Sequence, residues 1–161
     1  MNTVLHQACL LLGSNIEPEV NIPRAVDLLK KKITIVKVSS IWESASVNCC
    51  YPDFLNMAAA VSIGCGAAEL KDQILRPLEA HMGRLRTADK NASRTIDIDI
   101  ILFDEKVVDP DLWLYVHRAA PVAELFPDTV SESGERLKDT ARRLAQSTPI
   151  QIRWDISISP A

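Results

Sequence analysis

Two hydrophobic periods alternate along this chain, and the places where one gives way to the other predict its elements. Gln7–Leu12 is a short apolar run, rich in leucine, that stops at the turn formers Gly13, Ser14 and Asn15, so it reads as a central strand entering a loop. Ile22, Ala25, Val26, Leu29 and Ile33 then recur at helical spacing. Asn21 is suited to cap that helix, Pro23 fits only a first turn, and the end falls near Lys32. β-Branched residues alternate through Ile33–Trp42, and Phe54–Ile63 is a second strand-like run after the turn-rich Ser44–Asp53. These two strands are expected to pair.

From Ala67 to Met82 the helical period returns through Leu70, Ile74, Leu78 and Met82. Pro77 removes a backbone donor there, at a cost of about 3 kcal/mol inside a helix, which predicts a kink or a break. Thr95–Phe103 reads as a strand with Ile96, Ile98 and Ile100 on one face and Thr95, Asp97, Asp99 and Ile101 on the other. Gly134–Gln146 is a late helix with Leu137, Ala141 and Leu144 inward, and Ile150–Ile156 a last strand. The expected fold is therefore α+β, a ferredoxin-like βαββαβ sandwich with an additional C-terminal helix and strand. At 161 residues the chain suits one domain over 1–161, a size that buries roughly two thirds of the surface the unfolded chain exposes.

A net charge of −3 and a pI near 5.6 give no general attraction to nucleic acid or to an acidic membrane, so any anion site must be built locally. No apolar run approaches the roughly 20 residues that span a bilayer, and nothing near Met1 reads as a leader, which points to a cytoplasmic protein. Cys9, Cys49, Cys50 and Cys65 match neither a disulfide framework nor a C-x-x-C zinc clip, and reduced thiols are expected. Gly13 stands alone, outside any phosphate-loop motif, so phosphate contacts must come from side chains.

Asp97 and Asp99 are two apart on a strand and project together, with Cα atoms roughly 6.5–7 Å apart. At about 6 Å and an effective dielectric of about 20 their repulsion is on the order of 3 kcal/mol, which a bound cation reverses. Hard oxygens without His or Cys favour Mg²⁺. Taken alone, the alternation equally describes a solvated strand face. Arg84, Arg86 and Arg94 change that balance, because they flank the polar stretch Thr87–Ser93 that leads into the aspartates, and guanidinium groups bind phosphate oxygens bidentately. His117 is either a phosphate donor or a packed polar residue, some two turns of strand or loop further on. Phe54 and Asn56 either hold a flat heterocycle or belong to the core.

With L-G-S-N at Leu12–Asn15, F-L-N at Phe54–Asn56, E-x-x-x-G-R-x-R at Glu79–Arg86 and R-T-I-D-I-D-I at Arg94–Ile100, the chain resembles the 6-hydroxymethyl-7,8-dihydropterin pyrophosphokinases. That resemblance covers most of the chain. It implies a ferredoxin-like enzyme that moves the β,γ-diphosphate of ATP onto the hydroxymethyl oxygen of a reduced pterin, releasing AMP in folate biosynthesis. It also implies that Asp97 and Asp99 hold two Mg²⁺ ions and form the catalytic set with Arg84 and Arg94. Glu79, Arg84, Arg86, Arg94, Ile100, His117 and Arg118 would serve ATP, with Ile100 against the adenine. Ser44, Val47, Phe54, Asn56 and Asp97 would serve the pterin. The partners are then ATP and a reduced pterin, with no nucleic acid, no membrane and a monomeric chain.

The chain departs from the family pattern after His117, where roughly eight residues are missing, a loop-scale deletion. A phosphate-binding arginine and the aromatic that covers the second pterin face go with them. Arg118 is the candidate to replace the first, and Trp113, Tyr115 or Phe126 the second. The alternative reading is a non-catalytic or altered-substrate paralogue that binds Mg–nucleotide.

Overall fold

The computed structural model describes residues 3–46 and 50–160; Val47 and Cys49 lie outside them. Strand β1 (His6–Ser14) is buried from Ala8 onward, so both of its faces must be covered, and this decides the layering. On either side of it run β4 (Phe54–Ile63) and β5 (Asp97–Phe103), both antiparallel to it. β2 (Thr34–Val38) and β3 (Trp42–Ser44) both pair with β4. The edges are β6 (Lys106–Val107) beside β5 and β7 (Ile150–Ile152) beside β3. The order β6-β5-β1-β4-β3-β7 contains the ferredoxin-like arrangement expected from the sequence.

Alternation along β1 divides the apolar side chains between two cores. Ala8, Leu10 and Leu12 pack with Ile22, Val26 and Leu29 of α1 (Pro18–Lys30) and with the helical segment 67–81. Cys9 and Leu11 point the other way, against α4 (Val116–Leu125) and α5 (Leu137–Ser147), through residues such as Val122 and Leu137.

Several local expectations are corrected. Asn21 does not cap α1; it lies inside the helix, and its Nδ2 donates to the Ile16 carbonyl at 2.6 Å. Pro18 takes the start of the helix, which leaves Pro23 beyond the first turn, and the helix ends at Lys30. The run 33–42 is two strands: β2 carries a register slip of its own between Ile35 and Lys37, and the ladder to β4 breaks after Val38, where Ser39 Oγ accepts from the Ala58 amide at 2.9 Å, before β3 resumes it.

Pro77 does not break its helix. α2 (Ala67–Glu69), a π-helical stretch (Leu70–Leu75) and α3 (Arg76–His81) run on without a gap, and the Arg76 amide donates five residues back to the Lys71 carbonyl. The proline, which has no amide hydrogen, sits where the wide turn gives way to α3, so the widened register takes up the missing bond. α5 begins three residues later than expected, because Gly134 is spent on a turn at φ +87°. β7 stops at Ile152, and Ile156 and Ile158 beyond it pack on the first core.

Candidate active site

Odd-numbered positions of β1 face the layer that holds α4, and near the end of the strand they form the floor of a cleft. Strand pairing puts Asn56, Gly13 and Asp97 in one cross-strand row and Ala58, Leu11 and Asp99 in the next. Gly13 lies within β1, not in the turn its type suggested. A Cβ there would stand 2.9 Å from Asn56 Oδ1, so the glycine is what makes room for the asparagine. Asn56 Nδ2 in turn donates to Ser44 Oγ at 3.4 Å, and Phe54 pairs with Ser44 at the mouth.

β5 keeps its simple alternation only as far as Ile100. A bulge opposite Cys9 and Leu10 sends both Ile101 and Leu102 into the second core and returns Phe103 to the first. Asp97 and Asp99 thus face the cleft, whereas the Ile100 side chain packs on the first core, on the opposite face.

The charged groups meet around these aspartates. Arg84 Nη2 lies 3.0 Å from Asp97 Oδ1, and Arg94 Nη1 donates to Asp97 Oδ2 at 2.8 Å. Arg118 Nη1 reaches Asp99 Oδ2 at 3.4 Å and Asp109 Oδ2 at 2.6 Å. His117 is not in a strand or loop, as expected, but in the first turn of α4 beside Arg118. Burial, followed by the positive charge of Arg118, pushes its imidazole down to about 4, so it is neutral near pH 7. The protein packed around Asp99 raises its carboxyl above the usual range, with Asp97 adding to the effect and Arg118 opposing it.

Glu79, Arg84 and Arg86 stand apart from the cleft lining, Arg84 lying behind Asp97 with its Nε 3.9 Å from Glu79 Oε2. The nearly fully buried Glu79 accepts from the Ile98 amide at 2.8 Å and from Arg86 Nη2 at 3.0 Å, and burial is the main cause of its raised carboxyl. It thereby ties the end of α3 to β5. Arg86 itself is largely exposed.

Four residues in or around the cleft carry no assignment from the sequence. Asn15 joins both flanking loops, accepting from the Arg94 amide at 2.8 Å and donating to Pro52 O at 3.2 Å and Ser93 Oγ at 3.3 Å. Its place in L-G-S-N was the available signal. Lys90 and Asn91 line the cleft from a loop with no periodic pattern, and Asp109 reaches Arg118 from beyond β6.

Of the aromatics proposed to cover a second face, Trp113 and Phe126 pack on the second core. Tyr115 is 44 % exposed and lies against the His117 ring, 5.5 Å between centroids.

The arrangement has unmet needs that define a ligand. Among the described residues Arg84 Nε and Nη1 and Arg118 Nε are buried donors without hydrogen-bond partners, and a buried donor without an acceptor is unfavourable by about 1–3 kcal/mol. An anion with several oxygens answers both arginines. Among the described residues no group of three or more His, Cys, Asp or Glu forms a closed metal cage. Two co-facial carboxylates with only oxygen donors instead fit Mg²⁺, which keeps waters and completes its shell with substrate phosphates.

A family model described as 7,8-dihydro-6-hydroxymethylpterin-pyrophosphokinase (HPPK) matches residues 9–127, about three quarters of the chain. The chain belongs to this family. A relative from Pseudomonas aeruginosa, 2-amino-4-hydroxy-6-hydroxymethyldihydropteridine pyrophosphokinase, is 30% identical over 148 residues, covering 84% of this chain and 90% of the relative. Solved structures agree in fold. An HPPK-DHPS in complex with substrates has a TM-score of 0.67 at 13% identity over 88% of this chain, and an HPPK-DHPS of Plasmodium falciparum 0.72 at 10% over 90%. This HPPK family member spans 44% and 46% of those two longer chains.

Proposed function

We propose that this family member transfers the β,γ-diphosphate of ATP to the hydroxymethyl oxygen of 6-hydroxymethyl-7,8-dihydropterin, releasing AMP, the pyrophosphokinase step of folate biosynthesis. The observation that carries the reading is the row Asn56–Gly13–Asp97, which sets an amide suited to a pterin beside a carboxylate suited to a metal, on one cleft floor.

The hydroxymethyl oxygen attacks the β-phosphorus, the new O–P bond forms, and the bond from that phosphorus to the oxygen of the α-phosphate breaks. AMP leaves with that oxygen, and the hydroxyl proton passes to solvent or to Asp97. Asp97 and Asp99 would hold two Mg²⁺ ions, whose chemistry is to neutralise the phosphate charge and polarise its oxygens. Arg84 and Arg118 take phosphate oxygens through donors left free by the present contacts, Arg94 by exchanging its contact with Asp97, and neutral His117 donates one N–H. Phe54 offers its ring and Asn56 its amide to the pterin. Glu79 braces the arginine segment against β5, Arg86 joins it at the cleft's outer edge, and Ile100 has its backbone to offer the adenine. Positioning and charge neutralisation supply most of the acceleration in such transfers, so no strong general base is required.

The reading includes a monomer acting in the cytoplasm without nucleic acid. It is supported by the net charge of −3 and by the lack, among the described residues, of any helix long and apolar enough to cross a membrane. One observation favours a second reading, a nucleotide-binding paralogue without pterin turnover: two of the three aromatics expected to cover the pterin, Trp113 and Phe126, are packed against the second core. Release of AMP, measured with and without the reduced pterin, separates the two. Pterin-dependent AMP that disappears in Asp97→Ala supports the transferase, and nucleotide binding without AMP supports the paralogue.

A further inference from the structure

Arg118 is the cleft arginine held from outside the aspartate strand. Its Nη1 lies 3.4 Å from Asp99 Oδ2, a weak contact, and 2.6 Å from Asp109 Oδ2. Asp109 is itself held firmly. Its Oδ1 accepts from the Asp111 amide at 3.0 Å, capping the short 3₁₀ turn Pro110–Trp113, whose Leu112 is fully buried in the second core. The amides of Val108 and Asp109 both donate to the carbonyl of Ile101, the bulge residue, at 2.8 and 3.4 Å. One carboxylate oxygen is therefore fixed to the backbone, and the other is free to direct a guanidinium.

That division of labour matters because an arginine side chain has many rotamers and loses about 2 kcal/mol of entropy when it is fixed. If Asp99 turns to a cation, its contact with Arg118 goes. Asp109, fixed to the backbone through its other oxygen, keeps its own bond. Arg118 Nε remains a buried donor with no partner among the described residues, so the guanidinium still has a hydrogen bond to give.

We propose that Asp109 is a positioning residue, which holds Arg118 with its free donor toward a nucleotide phosphate while Asp99 is engaged elsewhere. The inference rests on the nucleotide reading above and assigns the replacement for the family's missing arginine its support.

Asp109→Asn tests it, because asparagine caps a helical turn as aspartate does but carries no charge to aim the guanidinium. In calorimetry with magnesium present, the Kd for ATP is expected to rise about tenfold in Asp109→Asn and at least as much in Arg118→Ala. The double variant is expected to be no worse than Arg118→Ala alone, with the melting temperature of Asp109→Asn within about 2 °C of the parent. A merely structural role would lower stability and add to the loss from Arg118→Ala. Should Asp109→Asn fail to fold, Asp109→Ser keeps a capping oxygen and gives the same comparison. Unchanged ATP affinity in Asp109→Asn, or losses that add in the double variant, would overturn the inference while leaving the pyrophosphokinase reading intact. No ATP binding by the parent protein would overturn both.

Discussion

The guanidinium of Arg94 stands over the ring of Phe54, 5.7 Å from its centre. It also donates to Asp97 at 2.8 Å, so one cation joins the aromatic platform to the carboxylate floor. In the proposed enzyme this leaves the other ring face for the pterin. Phe54→Leu keeps apolar bulk but removes the ring, and is expected to raise KM for the pterin about tenfold, with the Kd for ATP moving less than about twofold. Steady-state AMP release and calorimetry read the two quantities. Equal losses in both would mean that Phe54 serves to prop Arg94.

Asp97 accepts from Arg84 and Arg94 together, so its removal exposes two needs at once. Asp97→Asn and Asp99→Asn are each expected to lower turnover by about 10²–10³, with pterin affinity little changed. Asp97→Ala additionally strands Arg84, whose side chain is 11 % exposed, and is expected to cost on the order of 2–4 kcal/mol in urea denaturation. Turnover near the parent level in both Asn variants would remove the metal role from these carboxylates.

Gly13→Ala forces a Cβ to within 2.9 Å of Asn56 Oδ1, closer than such atoms approach, so the asparagine must turn. The predicted effect is selective: KM for the pterin rises about tenfold, while ATP affinity holds within about twofold. A crystal structure of the variant with Asn56 unmoved would contradict it.

His117 titrates at about 4 in the folded chain against an ordinary 6.5, because burial and then Arg118 disfavour the imidazolium. Between those values the unfolded chain binds a proton that the folded chain refuses, so His117 removes stability as pH falls through this window. The raised carboxyls of Glu79 and Asp99 act in the opposite sense, which makes the comparison with a variant necessary. From pH 7 to pH 5, wild type is expected to lose on the order of 1 kcal/mol more than His117→Asn, by urea denaturation. Parallel pH profiles would show that the histidine is solvated.

The order of strands and helices was legible because it follows from local periodicity, and so was the shared face of Asp97 and Asp99, which needs only strand alternation. Ile100 was assigned to ATP from a motif, yet parity along the same strand already places its side chain on the other face. What could not be read depends on partners distant in sequence. Gly13 looks like a turn former until the register brings Asn56 across from it, and Asp109 looks like a loop residue until α4 delivers Arg118. The π-helical stretch before Pro77 was hidden for a different reason: an i, i+4 pattern leads from Leu70 to Ile74, whereas the widened turn buries Leu75, five residues on, and leaves Ile74 at the core's edge. The break between β2 and β3 depends on Ser39 taking the Ala58 amide on its hydroxyl, a partner that the local β-branched pattern does not reveal.

Arg84 and Arg94 share Asp97, and Arg118 is divided between Asp99 and Asp109. The charges of the bare cleft are thus already paired with one another, although some guanidinium donors still lack an acceptor. A solitary divalent ion must part Arg84 and Arg94 from Asp97 and leave Arg118 to Asp109 alone, and a solitary polyanion leaves carboxylates stranded. Only when cation and triphosphate arrive as one package do all the pairs exchange at once, and so the protein is built to ignore either of them alone.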